Sequence, residues 1–212
     1  MSERQRAKRI VVLDYGSGNL RSAERALERA GADVTVTDDL TAAAEADGLV
    51  VPGVGAYAAC MAGIEALGAG PVIAERVAAG RPVLGICVGM QVLFEHGDEH
   101  GVVTKGLGLL PGGVTRLSAE RLPHMGWNTV RPPAGSVLFA GLPADARFYF
   151  VHSYGVTDTA GLAAAGATVT IAEHGTEFVA AVERGPLAAA QFHPEKSADT
   201  GATLLRNWLT TL

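Results

Sequence analysis

The chain has 212 residues, 48% of them hydrophobic and 18% charged, with a net charge of −5 at pH 7. That length buries a large core without staples, and the acidic balance excludes a general nucleic-acid binder, which needs a basic face. Its two cysteines, Cys60 and Cys87, make no disulfide framework or zinc spacing, and no apolar run approaches the roughly 20 residues that span a bilayer.

Residues 1–9 read as a short tail whose basic cluster, residues 4–9, is solvated. The apolar run at residues 10–13 ends at Asp14, too short for a secretory signal, so it is a buried strand. A cytoplasmic, reducing setting is the expectation. Residues 15–19 form a turn. Residues 20–30 have helical spacing, with Leu20, Ala23, Ala26, Leu27 and Ala30 on one face and Gly31 as the stop. Strands follow at residues 34–36 and 48–51, the second halted by Pro52 and Gly53. Helices at 57–67 and 72–79, a strand at 82–86 and a helix at 88–95 complete the first half. This alternation predicts an α/β fold with a doubly wound, largely parallel sheet flanked by helices.

The second half is richer in strands, at residues 114–117, 147–151, 168–171, 178–182 and 188–192, with a turn at 183–186. Residues 198–212 have helical spacing. No repeat or linker divides the chain, so residues 10–212 are expected to form a single domain around a mixed sheet.

The sharpest local signal is Gly85-Ile86-Cys87-Val88-Gly89, between a strand and a helix. It matches the nucleophile elbow G-x-S-x-G with cysteine in place of serine. The flanking glycines permit a tight turn that pushes the side chain out at the carboxyl edge of the sheet, where open α/β sheets place their sites. The following helix aims free N–H groups at the sulfur and favours the thiolate, and the Val88 N–H is positioned to hold an oxyanion. The bland reading of Cys87 is a small buried hydrophobe. That reading is preferred for Cys60, in an alanine-rich helix without punctuating glycines.

A cysteine nucleophile needs a histidine, itself oriented by a third polar group. His193 ends a predicted strand, Pro194 keeps it from helical geometry, and Glu195 is close enough to fix its tautomer. The alternative is an exposed His-Pro turn. His96 and His100 have the i,i+4 spacing of metal ligands, but Gly97, Asp98 and Glu99 make a solvated acidic loop the better reading. His124 and His152 lie in apolar-aromatic surroundings and are either core or site residues; His174 lies in a turn beside Gly175. Gly16 and Gly18, with Asp38 beyond, form part of a dinucleotide-binding fingerprint, but Arg21 occupies the place of its third glycine.

The elbow and the His-Pro-Glu segment together resemble the class I (triad) glutamine amidotransferase family, over nearly the whole chain from Ile10 onward. Residues 51–55 are similar to the family's oxyanion strand and residues 85–91 to its nucleophile motif. The resemblance implies that Cys87 attacks the side-chain amide of glutamine, that His193 moves the protons and that Glu195 orients it. It also implies an oxyanion site at Gly53, Val54 and Val88, glutamine contacts at Gly55, Gln91, His152, Ser153 and Tyr154, and no metal or organic cofactor.

Residues 14–22, 106–112, 123–128, 148–154 and 191–197 narrow the resemblance. They are similar to the branch that supplies ammonia to a (βα)8-barrel cyclase subunit in histidine biosynthesis, as a heterodimer. That branch implies a partner interface at Asn19, Met125, Trp127 and Lys196. Read without it, Asn19 caps a helix, Met125 and Trp127 pack in a core and Lys196 is solvated. Val88 stands where leucine is more usual, Gly155 where an aromatic is common, and residues 1–9 extend the start. A subunit of another ammonia-using synthase and a stand-alone γ-glutamyl hydrolase are the alternatives.

Overall fold

The computed structural model describes residues 6–212, so residues 1–5 of the expected tail lie outside it. The first half runs β1 (Arg9–Leu13), α1 (Leu20–Ala30), β2 (Asp33–Thr37), α2 (Leu40–Glu45), β3 (Gly48–Gly53), α3 (Tyr57–Leu67), α4 (Ala69–Ala78), β4 (Val83–Cys87) and α5 (Val88–Gln91). Then come β5 (Phe94–Glu99), β6 (Val102–Lys105), β7 (Leu110–Arg116), β8 (His124–Thr129), β9 (Arg147–His152) and β10 (Tyr154–Gly155). The chain closes with α6 (Ala160–Ala164), β11 (Thr168–His174), β12 (Thr176–Arg184), β13 (Leu187–Ala190), a 3₁₀ turn (Pro194–Lys196) and α7 (Ala198–Leu209).

The main sheet has seven strands in the order β11-β12-β13-β4-β3-β1-β2. β2, β1, β3, β4 and β13 pair in parallel, and β11 and β12 add an antiparallel edge. The expected doubly wound, mixed and largely parallel sheet is therefore present. Its inner strands are buried from end to end, as strands covered on both faces must be. A four-stranded sheet (β10-β7-β5-β6) and the β8–β9 ribbon sit beside it. Phe148 and Phe150 of β9 join Phe178 of β12 and Phe192 in one aromatic cluster, with Phe148 and Phe192 centroids 4.2 Å apart. That cluster fastens the ribbon to the main sheet, each fully buried ring contributing on the order of 2 kcal/mol. Among the described residues no single helix is long and apolar enough to cross a membrane.

Three expectations need correction. β3 is not halted by Pro52; it continues to Gly53, which pairs with Cys87. The missing Pro52 N–H costs no ladder bond to β1, because β1 pairs with β3 only as far as Val12↔Val50. The helix after Cys87 is four residues long rather than eight. Val92, Leu93 and Phe94 are wholly buried, and Phe94 opens a strand paired with Leu110. β5 also removes the solvated acidic loop: His96 and Asp98 pair with Lys105 and Val103 of β6, and Glu99 Oε2 accepts the Tyr57 N–H at 2.8 Å.

Arg76, only 2% exposed, gathers the end of α2. Its guanidinium donates to the carbonyls of Ala43, Ala44, Ala46, Asp47 and Pro82 at 2.9–3.3 Å. These include the last carbonyls of α2, which no helical N–H can reach. Burial, the dominant influence, pushes its pKa down to about 10, so it remains a cation at neutral pH. Arg76→Met is expected to strand the carbonyls of Ala43, Ala44 and Asp47, since Ala46 and Pro82 keep Arg81 and the Leu49 N–H, and to cost roughly 2–4 kcal/mol, lowering the melting temperature by about 5–10 °C. An unchanged melting curve would mean that water satisfies these carbonyls equally well.

Candidate active site

Three adjacent parallel strands end at the same edge of the sheet and bring three chain segments together. β3 delivers Gly53 and Val54, β4 delivers Cys87, and β13, whose Ala190 pairs with Ile86, delivers Gln191 and His193. Cys87 has φ 57° and ψ −115°. A non-glycine residue at positive φ is strained, and such strain is the mark of a nucleophile elbow. α5 is too short for a substantial macrodipole, so what it offers the sulfur is its local N–H groups rather than a helix-wide field.

His193 and Glu195 are joined by a 2.7 Å contact between Nδ1 and Oε1, with side chains 2% and 3% exposed. Fixed in this way, Nδ1–H donates to the carboxylate. Nε2 finds no hydrogen-bond partner of its own among the described residues. Burial alone would pull the His193 pKa down. The neighbouring Cys87 and Glu195 outweigh it and push the value up to about 9. The local fold is set by Ser197, whose hydroxyl donates to the His193 carbonyl at 2.6 Å and accepts the Tyr149 N–H at 2.9 Å.

The segment after β3 is turned to another partner. The Val54 N–H donates to Ser17 Oγ at 3.1 Å, and that hydroxyl donates back to the Val54 carbonyl at 2.9 Å. Cys60, wholly buried, adjoins this pair at 3.2 Å from Ser17 Oγ and 3.4 Å from the Val54 carbonyl. Its thiol thus has a polar role beyond the expected packing.

A cavity of about 520 Å³ opens over Cys87. Val54, Gly55, Val88, Gln91 and His193 line one part of it, and His152, Ser153, Tyr154 and Lys196 another. Gly53 and Glu195 support these residues without lining it. Gln91 Nε2 donates to the Tyr154 carbonyl and to Gln191 Oε1, both at 2.9 Å. His152 also reaches the Tyr154 carbonyl, at 2.8 Å, and burial pushes its pKa down to about 3.

Of the remaining candidates, Met125 and Trp127 are 63% and 50% exposed, so they do not pack in a core. Lys196 is exposed and Asn19 partly so; Asn19 starts α1 without a side-chain capping bond. Among the described residues no group of three or more His, Cys, Asp or Glu is arranged to hold a metal, His96 and His100 included. His174 is the last residue of β11, stacked on His124 with centroids 4.3 Å apart. Sequence reasoning missed Ser17 and Gln191, and the cavity residues Glu99, His100, Arg116, Pro123 and Val151. Only Gln191 carried a local signal, its place two residues before His193.

The family signature of Glutamine amidotransferase class-I matches residues 11–212. The chain is 63% identical to the imidazole glycerol phosphate synthase protein HisH of Mycolicibacterium paratuberculosis, with 97% of this chain and 99% of that protein covered. It is also 63% identical to the protein of the same name from Nocardia farcinica, at the same coverage. In fold it is similar to a crystal structure of a glutamine amidotransferase, with TM-score 0.74, 22% identity, and 95% of this chain and 97% of that one covered. On this full-length match, the chain belongs to the class-I glutamine amidotransferase family.

Proposed function

We propose that this chain is the glutaminase subunit of an imidazole glycerol phosphate synthase. It hydrolyses glutamine to glutamate and ammonia. The ammonia passes to a (βα)8-barrel cyclase subunit that makes imidazole glycerol phosphate and aminoimidazole carboxamide ribonucleotide in histidine biosynthesis. The observation that carries the reading is the buried Cys87, His193 and Glu195 array under a 520 Å³ cavity, in a chain 63% identical to HisH subunits over its length. The proposed catalytic unit runs from residue 10 to 212, and free Cys60 and Cys87 suit a reducing cytoplasm.

In the proposed cycle, the Cys87 thiolate adds to the glutamine amide carbon and the carbonyl electrons move to oxygen. The oxyanion is held by the N–H of Val88 and by the Gly53–Val54 segment, each donor contributing on the order of 3 kcal/mol. Collapse of the adduct expels ammonia, which takes its proton from His193 Nε2. Water then gives a proton to the same nitrogen and attacks the thioester; the C–S bond breaks and glutamate leaves. Glu195 holds the ring through both transfers. Gly55, Gln91, His152, Ser153 and Tyr154 form the proposed glutamine-binding wall.

The exposed Met125 and Trp127 on β8, with Asn19 and Lys196, form the proposed partner surface. The isolated chain is expected to be a weak glutaminase, because a Val54 N–H engaged by Ser17 cannot also donate to an oxyanion. The test is glutamate release with and without a barrel cyclase and its ribonucleotide. Large activation supports the synthase reading; partner-independent turnover favours a stand-alone γ-glutamyl hydrolase, and activation by a different synthase favours a sister subunit. Ser17→Ala is expected to raise the partner-free rate several-fold by freeing that N–H, roughly the effect of one hydrogen bond. An unchanged rate would mean that Ser17 does not restrain the strand.

A further inference from the structure

Gln191 lies outside the proposed proton-transfer array, yet it is wholly buried and its Nε2 is 3.8 Å from the Cys87 sulfur. The orientation of its amide follows from its neighbours. The Tyr154 carbonyl can only accept, so the Gln91 atom 2.9 Å from it is the amide nitrogen. That nitrogen spends its second hydrogen on Gln191, which must present Oε1 at 2.9 Å and so turns its own N–H groups toward Cys87.

The same carbonyl fixes a second branch. His152 Nδ1 lies 2.8 Å from it and therefore carries the proton, leaving Nε2 as an acceptor. His124 Nδ1, at 3.0 Å, must then be the donor, and His124 Nε2 accepts from Asn128 Nδ2 at 3.2 Å. The far end agrees independently. Asn128 Nδ2 also donates to the Glu173 carbonyl at 2.9 Å, and Asn128 Oδ1 accepts the Thr129 N–H at 2.9 Å. Two backbone carbonyls, on different strands, thus dictate the direction of every bond, and the two branches meet at the Tyr154 carbonyl, which accepts from both. The polarity requires both imidazoles to be neutral. Burial meets that requirement, pushing His124 down to about 4 and His152 to about 3.

Asn128 and His124 belong to β8, where they face inward while Met125 and Trp127 between them face outward. We propose that Gln191 positions the nucleophile by donating an N–H to Cys87, and that Asn128 and His124 of β8, through His152, hold in place the Tyr154 carbonyl on which Gln91, and so the Gln191 amide, is anchored. Displacement of the outer face of β8 would then reach the sulfur through bonds rather than through a loop. This inference rests on the proposed role of Cys87 as nucleophile.

The test is a double-mutant cycle in the assembled complex. His124→Phe keeps an aromatic ring against Phe150 and His174 but removes both nitrogens; Gln191→Met removes the donor to sulfur. The rate of Cys87 alkylation by iodoacetamide, assigned by peptide mass mapping, is read for wild type, both single variants and the double variant, beside kcat and KM for glutamine. Each single variant is expected to slow alkylation and kcat by roughly tenfold with KM changed less than about threefold. The double variant is expected to match Gln191→Met within about twofold, because a chain already cut has nothing left to transmit. Multiplying effects, approaching a hundredfold, would overturn the proposal, as would unchanged alkylation in His124→Phe. If Gln191→Met does not fold, Gln191→Glu replaces it in the cycle with the same expectation. Alkylation needs no glutamine, so a wild type that reacts normally but does not hydrolyse glutamine would sink the glutaminase reading and leave the chain of bonds to stand or fall alone.

Discussion

His193→Ala is expected to lower glutamine turnover by roughly a thousandfold while leaving the fold intact. The ring is buried, and among the described residues its only hydrogen bond is to Glu195, a residue of the same turn, so its removal orphans that carboxylate, which can take up a proton, but unpairs no distant element. In the proposed cycle, what is lost is the proton for departing ammonia and the acceptor for water. The pH dependence follows from the raised pKa. Below about 9 the ring is an imidazolium, the form that protonates the leaving group, so turnover of the wild type should hold through neutral pH and fall as pH rises through about 9. Glu195→Gln removes one of the influences that raise the value and leaves burial, which lowers it. The alkaline limb of kcat/KM should therefore move to lower pH in Glu195→Gln, with a fall in kcat. An alkaline limb that stays in place would mean that the carboxylate does not hold the charge on His193.

Gly89→Ala is expected to destabilise the protein by more than about 3 kcal/mol and to abolish turnover, although it adds one methyl group. A Cβ at this position would lie 1.9 Å from the Val51 carbonyl oxygen and 2.8 and 2.9 Å from the carbonyl carbons of Val51 and Pro52. All three atoms are backbone of a central strand, so no side chain can swing away. α5 would have to lift from β3, taking the Cys87 elbow and the Val88 N–H with it. Gly161→Ala is the control: in α6 its methyl would meet only Asp158 Oδ2 at 3.4 Å, so it is expected to be neutral or stabilising by about 0.5–1 kcal/mol. Urea unfolding and turnover of the two variants measure the contrast. A Gly89→Ala protein with wild-type stability would mean that α5 and β3 are not packed as closely as this.

The elements that were legible in the sequence are those whose signals are local. α1 runs from Leu20 to Ala30 and stops at Gly31 in the left-handed conformation, as its spacing and stop signal predict. The inner strands are legible because burial on both faces demands continuous apolar runs. β5 was not legible, because Phe94 and Glu95 read as the end of a helix and His96, Asp98 and Glu99 as a solvated loop, and only pairing with β6 and β7 makes them a strand. β8 inverts the usual alternation: His124 and Asn128 face inward and Met125 and Trp127 outward, so its apolar residues point to a core they do not enter.

The same distinction divides the site. Cys87, His193 and Glu195 stand at punctuated positions beside glycines or proline and are visible one segment at a time. Ser17 and Gln191 are not, because their contacts depend on which strand ends lie side by side. Ser17 meets Val54 across 37 positions and Gln191 meets Cys87 across 104. Arg76 is hidden for a related reason: an isolated arginine in a helix reads as solvated until the carbonyls of α2 and Pro82 are seen to converge on it.

Whether Cys87 is the nucleophile of a glutaminase is decided by glutamate release from glutamine by wild type and Cys87→Ala, each assembled with a barrel cyclase and its ribonucleotide. Rapid release by wild type is expected, with a rate at least about a thousandfold lower in Cys87→Ala, since the other thiol, Cys60, is wholly buried and does not line the cavity. Glutamate release that survives in Cys87→Ala would contradict that role.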